Sequence, residues 1–238
     1  RDFFRYTGVQ HGWQLREGGR LTSENKALGV AMIGVGMVAK THLMAICDAS
    51  PPVRLVGVLA RSPNRARAFA GEAGEALGAE VEMFGDISTV AADPRVDAAL
   101  ILTPPHARLD LVRPLAEAGK PILLEKPVGR TLAEAEEVVA TCERAGVPLG
   151  VVFQHRMREA ARAAAELVAG GTLGALGLAE ISIPWWREQA YYDEPGRGTY
   201  ARDGGGVLIS QAIHTIDLAL SLTGPVEEVT AMTATTRF

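Results

Sequence analysis

Three residues near the middle of the chain, Glu125-Lys126-Pro127, directly follow the apolar run Pro121–Leu124. A lysine at the end of a buried strand holds its proton less tightly, because burial disfavours the charged ammonium form. Such a lysine can exchange a proton with a substrate hydroxyl near neutral pH. Lys126 is therefore the first candidate catalytic residue. The alternative interpretation is a surface lysine in an ion pair with Glu125.

A glycine-rich turn, Gly34-Val35-Gly36-Met37-Val38-Ala39, follows the apolar strand Leu28–Ile33 and precedes a predicted helix. Small residues at this spacing let the backbone approach a dinucleotide pyrophosphate, which then meets the positive end of the helix dipole. The other interpretation is a tight strand–helix turn without a ligand. We expect cofactor contacts from four residues of this turn, Gly34, Gly36, Met37 and Val38.

The end of the second predicted strand bears on the choice between NAD and NADP. An acidic residue at this point typically holds the ribose 2′-hydroxyl of NAD, whereas this chain has Ala60-Arg61-Ser62. Arg61, Ser62 and Arg65 can contact a 2′-phosphate, so the sequence favours NADP over NAD. The alternative is that Arg61 only covers the adenine ring, which suits either cofactor.

Downstream, three glycines at 204–206 precede a predicted helix, Val207–Leu222, with polar residues at helical spacing. Ser210, His214 and Asp217 share one face of this helix. His214 can transfer a proton or hold a substrate hydroxyl, and Asp217 can orient the imidazole. The alternative is a histidine that is only packed in the core.

Continuous apolar strands alternate with helices from residue 28 to 150, which predicts an α/β domain with a doubly wound parallel sheet. The carboxyl ends of such strands meet at one edge, where ligands bind. We therefore expect five residues near the cofactor: Thr103, Pro104, His106, Glu125 and Lys126. Residues 151–238 predict a partial α+β domain with a helix at Glu159–Ala169 and strands at Leu178–Ile183 and Glu228–Thr236. Residues 1–27 have no clear period and are interpreted as an arm.

Composition bounds the function further. The chain has 238 residues and a net charge of -4, which does not favour nucleic-acid binding. No apolar run reaches the roughly 18 residues of a spanning helix, so no membrane partner is expected. Cys47 and Cys142 lack metal-ligand spacing and are predicted to be buried or half-buried free thiols in a cytoplasmic protein without a metal. A first residue other than Met, and an end inside a predicted strand, suggest a piece of a longer protein.

In combination these motifs resemble the glucose-fructose oxidoreductase / inositol dehydrogenase / rhizopine-catabolism (Gfo/Idh/MocA) family. The resemblance covers roughly Leu28 to the C-terminus and adds Gly119-Lys120-Pro121 to the motifs above. It implies an N-terminal Rossmann domain and a C-terminal domain with an open, mostly antiparallel sheet that forms a homo-oligomer. It also implies that Lys126 is the proton-transfer residue and that His214 binds substrate or transfers a proton.

The resemblance implies hydride transfer between nicotinamide and a secondary alcohol or ketone of a sugar, cyclitol or related cyclic diol. Many sugar and inositol members carry Asp where this chain has Ser210, which weakens the expectation of a polyol. Arg187, Arg197 and Arg202 are alternative partners for a substrate carboxylate. An NAD-dependent glycoside hydrolase and a non-catalytic dinucleotide-binding regulator are the alternative functions. Expected substrate contacts are Arg156, Trp185, Ser210 and Asp217, with Trp185 either stacking on a ring or packing between domains.

Overall fold

A computed structural model describes residues 27–232 and 234 of the chain. Six strands form one sheet in this part of the chain, and short 3-10 turns at Pro105–Ala107 and Gln154–Met157 follow two of them. The strands are β1 Leu28–Ile33, β2 Val53–Leu59, β3 Glu82–Met83, β4 Ala98–Ile101, β5 Ile122–Glu125 and β6 Leu149–Val152. The helices are α1 Ala39–Cys47, α2 Pro63–Leu77, α3 Ile87–Ala92, α4 Arg108–Glu117, α5 Leu132–Ala145, α6 Glu159–Ala169, α7 Gln189–Tyr192, α8 Tyr200–Asp203 and α9 Ile213–Thr223.

The sheet has the order β3-β2-β1-β4-β5-β6, and every neighbouring pair is parallel. The chain first moves outward from β1 to β3 and then crosses back to β4 on the other side of β1. This change of direction leaves a crevice at the carboxyl ends of β1 and β4, where ligands bind in such sheets. The predicted doubly wound parallel α/β fold is confirmed.

Both faces of the sheet are covered by helices, which explains the uninterrupted apolar character of its strands. In β1, Val30 and Met32 contribute to one core cluster, whereas Ala31 and Ile33 contribute to the other. Alternate side chains of a strand point to opposite faces, so a single apolar strand feeds both layers. The strand is therefore packed against side chains on both faces of the sheet.

The helix boundaries follow from local sequence signals. Ser62 caps α2 ahead of Pro63, and Thr131 caps α5 by accepting the N–H of Glu134 at 3.2 Å. Helix α3 was not predicted, although Asp86 caps it by accepting the N–H of Thr89 at 2.8 Å. The cap signal was present, but six residues give too few turns for a clear helical period.

The C-terminal part departs from the prediction. Helix Glu159–Ala169 is confirmed, but Leu178–Ile183 is irregular, and so are residues 224–232 at the start of the predicted strand Glu228–Thr236. Within the described residues no strand follows β6, so the predicted antiparallel sheet is not seen there. Alternating side chains mark a face, but a strand also needs a neighbouring backbone to pair with. Residues 233, 235 and 236, and the predicted arm up to residue 26, lie outside the described residues.

The segment Tyr200–Thr223 corrects a further expectation. By length and composition it is apolar enough to cross a membrane, with a mean hydropathy of 1.3 over its best window. Length and composition alone do not separate a spanning helix from a core helix. This segment contains Gly204, with a φ of 86°, and two buried carboxylates, Asp203 and Asp217.

The two cysteines differ in exposure. Cys142 is buried as expected, whereas Cys47, at the end of α1, is exposed and departs from the expectation.

Candidate active site

The ends of β1, β4 and β5 meet at the crevice through tight backbone contacts. Gly34 has a φ of 99°, and a Cβ there would lie 3.1 Å from the backbone nitrogen of Thr103. The carbonyl of Thr103 accepts hydrogen bonds from Nε and Nη2 of Arg108 at 3.1 and 2.9 Å. Nη2 also donates to the carbonyl of Lys126 at 3.3 Å. Arg108, a buried residue that the sequence analysis missed, thus ties β4 to β5 beside Lys126.

Glu125 has a different partner from the one considered in the sequence. Its Oε1 is 2.9 Å from Nε2 of His42 on α1, and its Oε2 accepts the backbone N–H of Lys126 at 3.1 Å. The carboxylate is buried, so it joins the helix after the glycine turn to the strand that carries Lys126. His42 is a second residue that the sequence analysis missed. It lies on α1 with no other polar motif nearby in the sequence, so nothing there indicated a functional role.

The ammonium group of Lys126 reaches across to the C-terminal part of the chain. Nζ donates to the backbone carbonyl of Ser210 at 2.8 Å, and no ion pair with Glu125 is formed among the described residues. The pKa of Lys126 is lowered, first by burial and then by the positive charges of Arg108, Arg197 and Arg187, against an opposing effect of Glu125. Deprotonation is thereby made easier, as a proton-transfer residue requires.

The predicted helix Val207–Leu222 is interrupted where it meets Lys126. Leu208–Ala212 forms a π-helical turn, and regular α-helix begins at Ile213. Such turns are often found at functional sites, because they shift the carbonyls away from the regular ladder. Gly204 brings this segment against the residues that precede α5, since a Cβ there would lie 2.6 Å from the carbonyl oxygen of Arg130.

His214 is buried beside a second imidazole. Its ring centroid lies 5.1 Å from that of His155, and its Nδ1 has no hydrogen-bond partner in the described part of the chain. Burial lowers the pKa of His214 to about 4, with further contributions from Lys126 and His155. The imidazole is therefore neutral near pH 7 and able to accept or donate one hydrogen bond per nitrogen. His155 was not predicted, because a lone histidine after β6 carries no spacing signal.

Asp217 does not orient His214 as expected. Both of its carboxylate oxygens accept from Arg156: Nη2 donates to Oδ1 at 2.6 Å, and Nε donates to Oδ2. The pair joins the turn after β6 to α9, and both side chains are largely enclosed. Arg156 and Asp217, both expected to contact the substrate, are thus paired with each other in the structure.

Residues 184–203, which we call the aromatic loop, carry Trp185, Tyr191 and Tyr192 and contact His155 through Trp185. The Trp185 ring is 6.2 Å from that of His155 in an edge-on arrangement and remains 45% exposed. The Ser210 hydroxyl donates to the carbonyl of Gly206 at 2.8 Å. The crevice therefore brings together Lys126, His214, His155 and Trp185, with Ser210 contributing its carbonyl.

The glycine turn provides a suitable cradle for a dinucleotide. Gly36 is exposed, and a Cβ at this position would meet nothing within 4 Å. No side chain caps the N-terminus of α1; the N–H of Ala39 donates to the carbonyl of Gly36 at 3.2 Å, and the other N–H groups of the first turn can face an anion. Met37 is exposed and Val38 half-buried, while the buried hydroxyl of Thr103 lacks a partner among the described residues. These features fit a bound nicotinamide dinucleotide.

The residues expected at the adenosine end are only partly available. Ser62 Oγ caps α2 by accepting the N–H of Arg65 at 3.4 Å, and Nη2 of Arg65 donates to the carbonyl of Val35 at 3.1 Å. Arg61 is exposed beside the end of β2, and Pro104 and His106 are exposed after β4. Within the described residues no group of three His, Cys, Asp or Glu side chains is arranged to hold a metal ion.

The fold and the crevice together define a protein of the Rossmann dinucleotide-binding class. The model of the oxidoreductase family with an NAD-binding Rossmann fold matches residues 28–153, and the GFO/IDH/MocA C-terminal domain model matches residues 161–238. The chain belongs to the GFO/IDH/MocA oxidoreductase family.

Similar proteins that are named as dehydrogenases support the assignment to this family. D-apiose dehydrogenase of Paraburkholderia graminis is 30% identical over 90% of this chain, and inositol 2-dehydrogenase of Rhizobium meliloti is 29% identical over 86%. The WlbA dehydrogenase of Bordetella pertussis, solved with NADH and UDP-GlcNAcA, is 29% identical over 85% of this chain with a TM-score of 0.75. This chain spans 54%, 57% and 57% of their respective lengths.

Proposed function

We propose that the chain is an NAD(P)-dependent oxidoreductase acting on a secondary alcohol or its ketone, with Lys126 as the proton-transfer residue. The observation that supports this most is the placement of Lys126. Its Nζ is fixed by the Ser210 carbonyl at the carboxyl end of β5, the strand next to β4 at the crevice. Partial burial and nearby arginines make its proton easier to lose.

In the oxidation direction, the neutral amine of Lys126 takes the hydroxyl proton while the C–H bond of the same carbon breaks and the carbonyl forms. When bound, the nicotinamide supplies the chemistry that accepts the hydride. His214, uncharged near neutral pH, holds the reacting oxygen through a hydrogen bond. Trp185 offers an exposed ring face for the sugar or cyclitol ring, and Arg156 and Asp217 position α9 rather than contacting the substrate.

For the cofactor, Gly34, Gly36, Met37 and Val38 bind the pyrophosphate, and Thr103, Pro104 and His106 border the nicotinamide side. Glu125 supports this site indirectly through His42. The proposed preference for NADP rests on Ala60 and Arg61, because the side chains of Ser62 and Arg65 are engaged within the protein. The structural relative that holds NADH makes NAD the direct competitor.

Residues 28–150 are proposed as the cofactor domain and residues 151–238 as part of a substrate and assembly domain. Several apolar side chains of the latter are exposed, among them Leu178, Val229 and Met232. An apolar surface of this kind needs a cover. We propose that these segments contribute to an antiparallel sheet that forms the interface of a homo-oligomer.

The function is tested by fluorescence titration of the purified chain with NADH and NADPH, followed by turnover assays with apiose, myo-inositol and UDP-GlcNAcA. Binding of either dinucleotide and reduction of NAD⁺ or NADP⁺ by an alcohol support the proposal. Release of the chromophore from a nitrophenyl glycoside without net reduction of cofactor identifies a glycoside hydrolase instead. Binding without either reaction is the result expected of a regulator.

A further inference from the structure

Two arginines of the aromatic loop are held in a fixed arrangement by one tyrosine. The Arg187 guanidinium carbon lies 5.2 Å from the Tyr191 ring centroid, and that of Arg197 lies 5.0 Å from it. Cation–π contacts of this kind orient a guanidinium without using its N–H donors. Arg187 therefore keeps its N–H donors for an anion, and Arg197 keeps Nε, which has no hydrogen-bond partner among the described residues.

The segment that carries this arginine pair is attached to the cofactor domain. Nη1 of Arg130 donates to the carbonyl of Ala201 at 2.8 Å, and Gly204 packs against the Arg130 backbone. The N–H of Gly198 donates to Asp203 Oδ2 at 2.7 Å, which closes the loop on itself. Gly204 leads into the π-helical turn whose Ser210 carbonyl accepts from Lys126 at 2.8 Å, and the charges of Arg187 and Arg197 lower the pKa of Lys126.

The positive charge of the pair is only partly neutralised. Arg197 binds Glu194 at 2.7 Å and lies 3.8 Å from Asp203, yet its buried Nε has no hydrogen-bond partner among the described residues. Arg187 contacts the Tyr191 ring but has no carboxylate partner in the part of the chain that the structure describes. Arg202, by contrast, is engaged with the carbonyl of Pro195 at 2.5 Å and with Glu194 at 3.2 Å.

We propose that the substrate carries an anionic group, a carboxylate on the sugar or cyclitol ring, that Arg187 and Arg197 bind while Lys126 reacts with a hydroxyl. This inference rests on the proposed function and narrows its substrate class from neutral polyols to acidic ones. A planar guanidinium matches a carboxylate with two parallel hydrogen bonds. The same chemistry suits a phosphate, so the assay includes both anions.

The test measures binding by calorimetry in the presence of saturating NAD⁺ or NADP⁺, whichever the chain binds. Glucuronate, galacturonate and mannuronate are each compared with the neutral aldose of the same configuration, and with glucose 6-phosphate. At least one uronate is expected to bind about tenfold more tightly than its neutral partner, a difference of about 1.4 kcal/mol. This ratio is expected to approach one in Arg187→Gln and in Arg197→Gln.

Arg202→Gln is the matched control, because it removes an arginine of the same loop that is not one of the two over the Tyr191 ring, and it should keep the ratio. Thermal denaturation shows whether each variant is folded. The proposal is overturned if no uronate outbinds its neutral partner, if only the phosphate does, or if Arg202→Gln loses the ratio as fully as the other two. Failure of the function itself is distinguishable, since the dinucleotide would then not bind or no alcohol would be oxidised.

Discussion

The ammonium nitrogen of Lys126 donates a 2.8 Å hydrogen bond to the backbone carbonyl of Ser210, a residue 84 positions away in the sequence. The bond joins the residue that follows β5 to the π-helical turn that precedes α9. The acceptor is a backbone oxygen, so its position is set by the course of the backbone and not by the side chain at position 210. The bond gives the lysine one fixed direction within the crevice.

Replacement of Lys126 by Met removes the proton-transfer group and keeps most of the side-chain volume. Turnover is expected to fall by about 10²- to 10⁴-fold, the usual contribution of such a group, with little change in dinucleotide affinity. Steady-state kinetics and NAD(P)H titration measure the two effects. Lys120→Met is the control: Lys120 donates to the carbonyls of Asp93 and Val96, between α3 and β4, so its loss should reduce stability but not turnover. Equal loss of turnover in both variants contradicts the assignment.

The pH dependence of kcat/KM for alcohol oxidation should follow the ionisation of Lys126. The rate is expected to rise with pH and to reach half its maximum below 10.5, because the folded protein lowers the pKa of this lysine. Arg187→Gln removes a repelling charge and should move the midpoint to higher pH. Glu125→Gln removes an attracting charge and should move it to lower pH. Shifts in the same direction for both variants would be inconsistent with Lys126 as the titrating group.

His214 should make the folded protein sensitive to acid. Its pKa falls from 6.5 to about 4 on folding, so the unfolded chain takes up a proton at a pH where the folded chain does not. Stability is thus full above pH 6.5 and is lost as pH falls toward 4, by up to about 3 kcal/mol for this one group. Urea denaturation at pH 7.5 and pH 5 measures the loss. His214→Gln should show a smaller difference between the two pH values, and an unchanged difference would rule out this origin.

The Arg156–Asp217 pair is expected to stabilise the protein rather than to bind substrate. Removing one partner leaves the other enclosed and unpaired, and Arg156→Gln or Asp217→Asn should each lower the free energy of unfolding by about 2–4 kcal/mol. The double variant should lose less than the sum of the two. A urea double-mutant cycle gives the coupling. If Arg156→Gln leaves stability intact but raises KM, the sequence-based expectation of a substrate contact is restored.

Gly34 and Gly36 should respond differently to replacement by Ala. At Gly34 a side chain would meet Thr103 at 3.1 Å with a φ of 99°, so Gly34→Ala should lower stability by about 1–3 kcal/mol. At Gly36 nothing lies within 4 Å, so Gly36→Ala should leave the melting temperature unchanged. The added methyl group would instead occupy the space for the pyrophosphate and weaken dinucleotide binding about tenfold. Unimpaired binding by Gly36→Ala would place the pyrophosphate elsewhere.

Much of the cofactor domain could be predicted from the sequence because its signals are local. Continuous apolar runs, the caps at Ser62 and Thr131 and the stops at Gly78 and Gly146 depend on residues close to one another in the chain. The glycine spacing likewise predicted a turn between β1 and α1. The predicted C-terminal strands are not formed among the described residues, and the reason is complementary: Leu178–Ile183 has an alternating pattern but no partner strand there.

The sequence by itself determined the doubly wound sheet and the identity of the lysine at the end of β5, since strand periods and end residues are properties of short segments. Only the tertiary structure decided what surrounds that lysine. The partners of Glu125, Lys126 and Asp217 lie 83, 84 and 61 residues away, at separations where no sequence period applies. Folding brings them together because the parallel strands end at one edge and α9 packs beside it, so the charges and hydrogen bonds of the site depend on topology rather than on spacing.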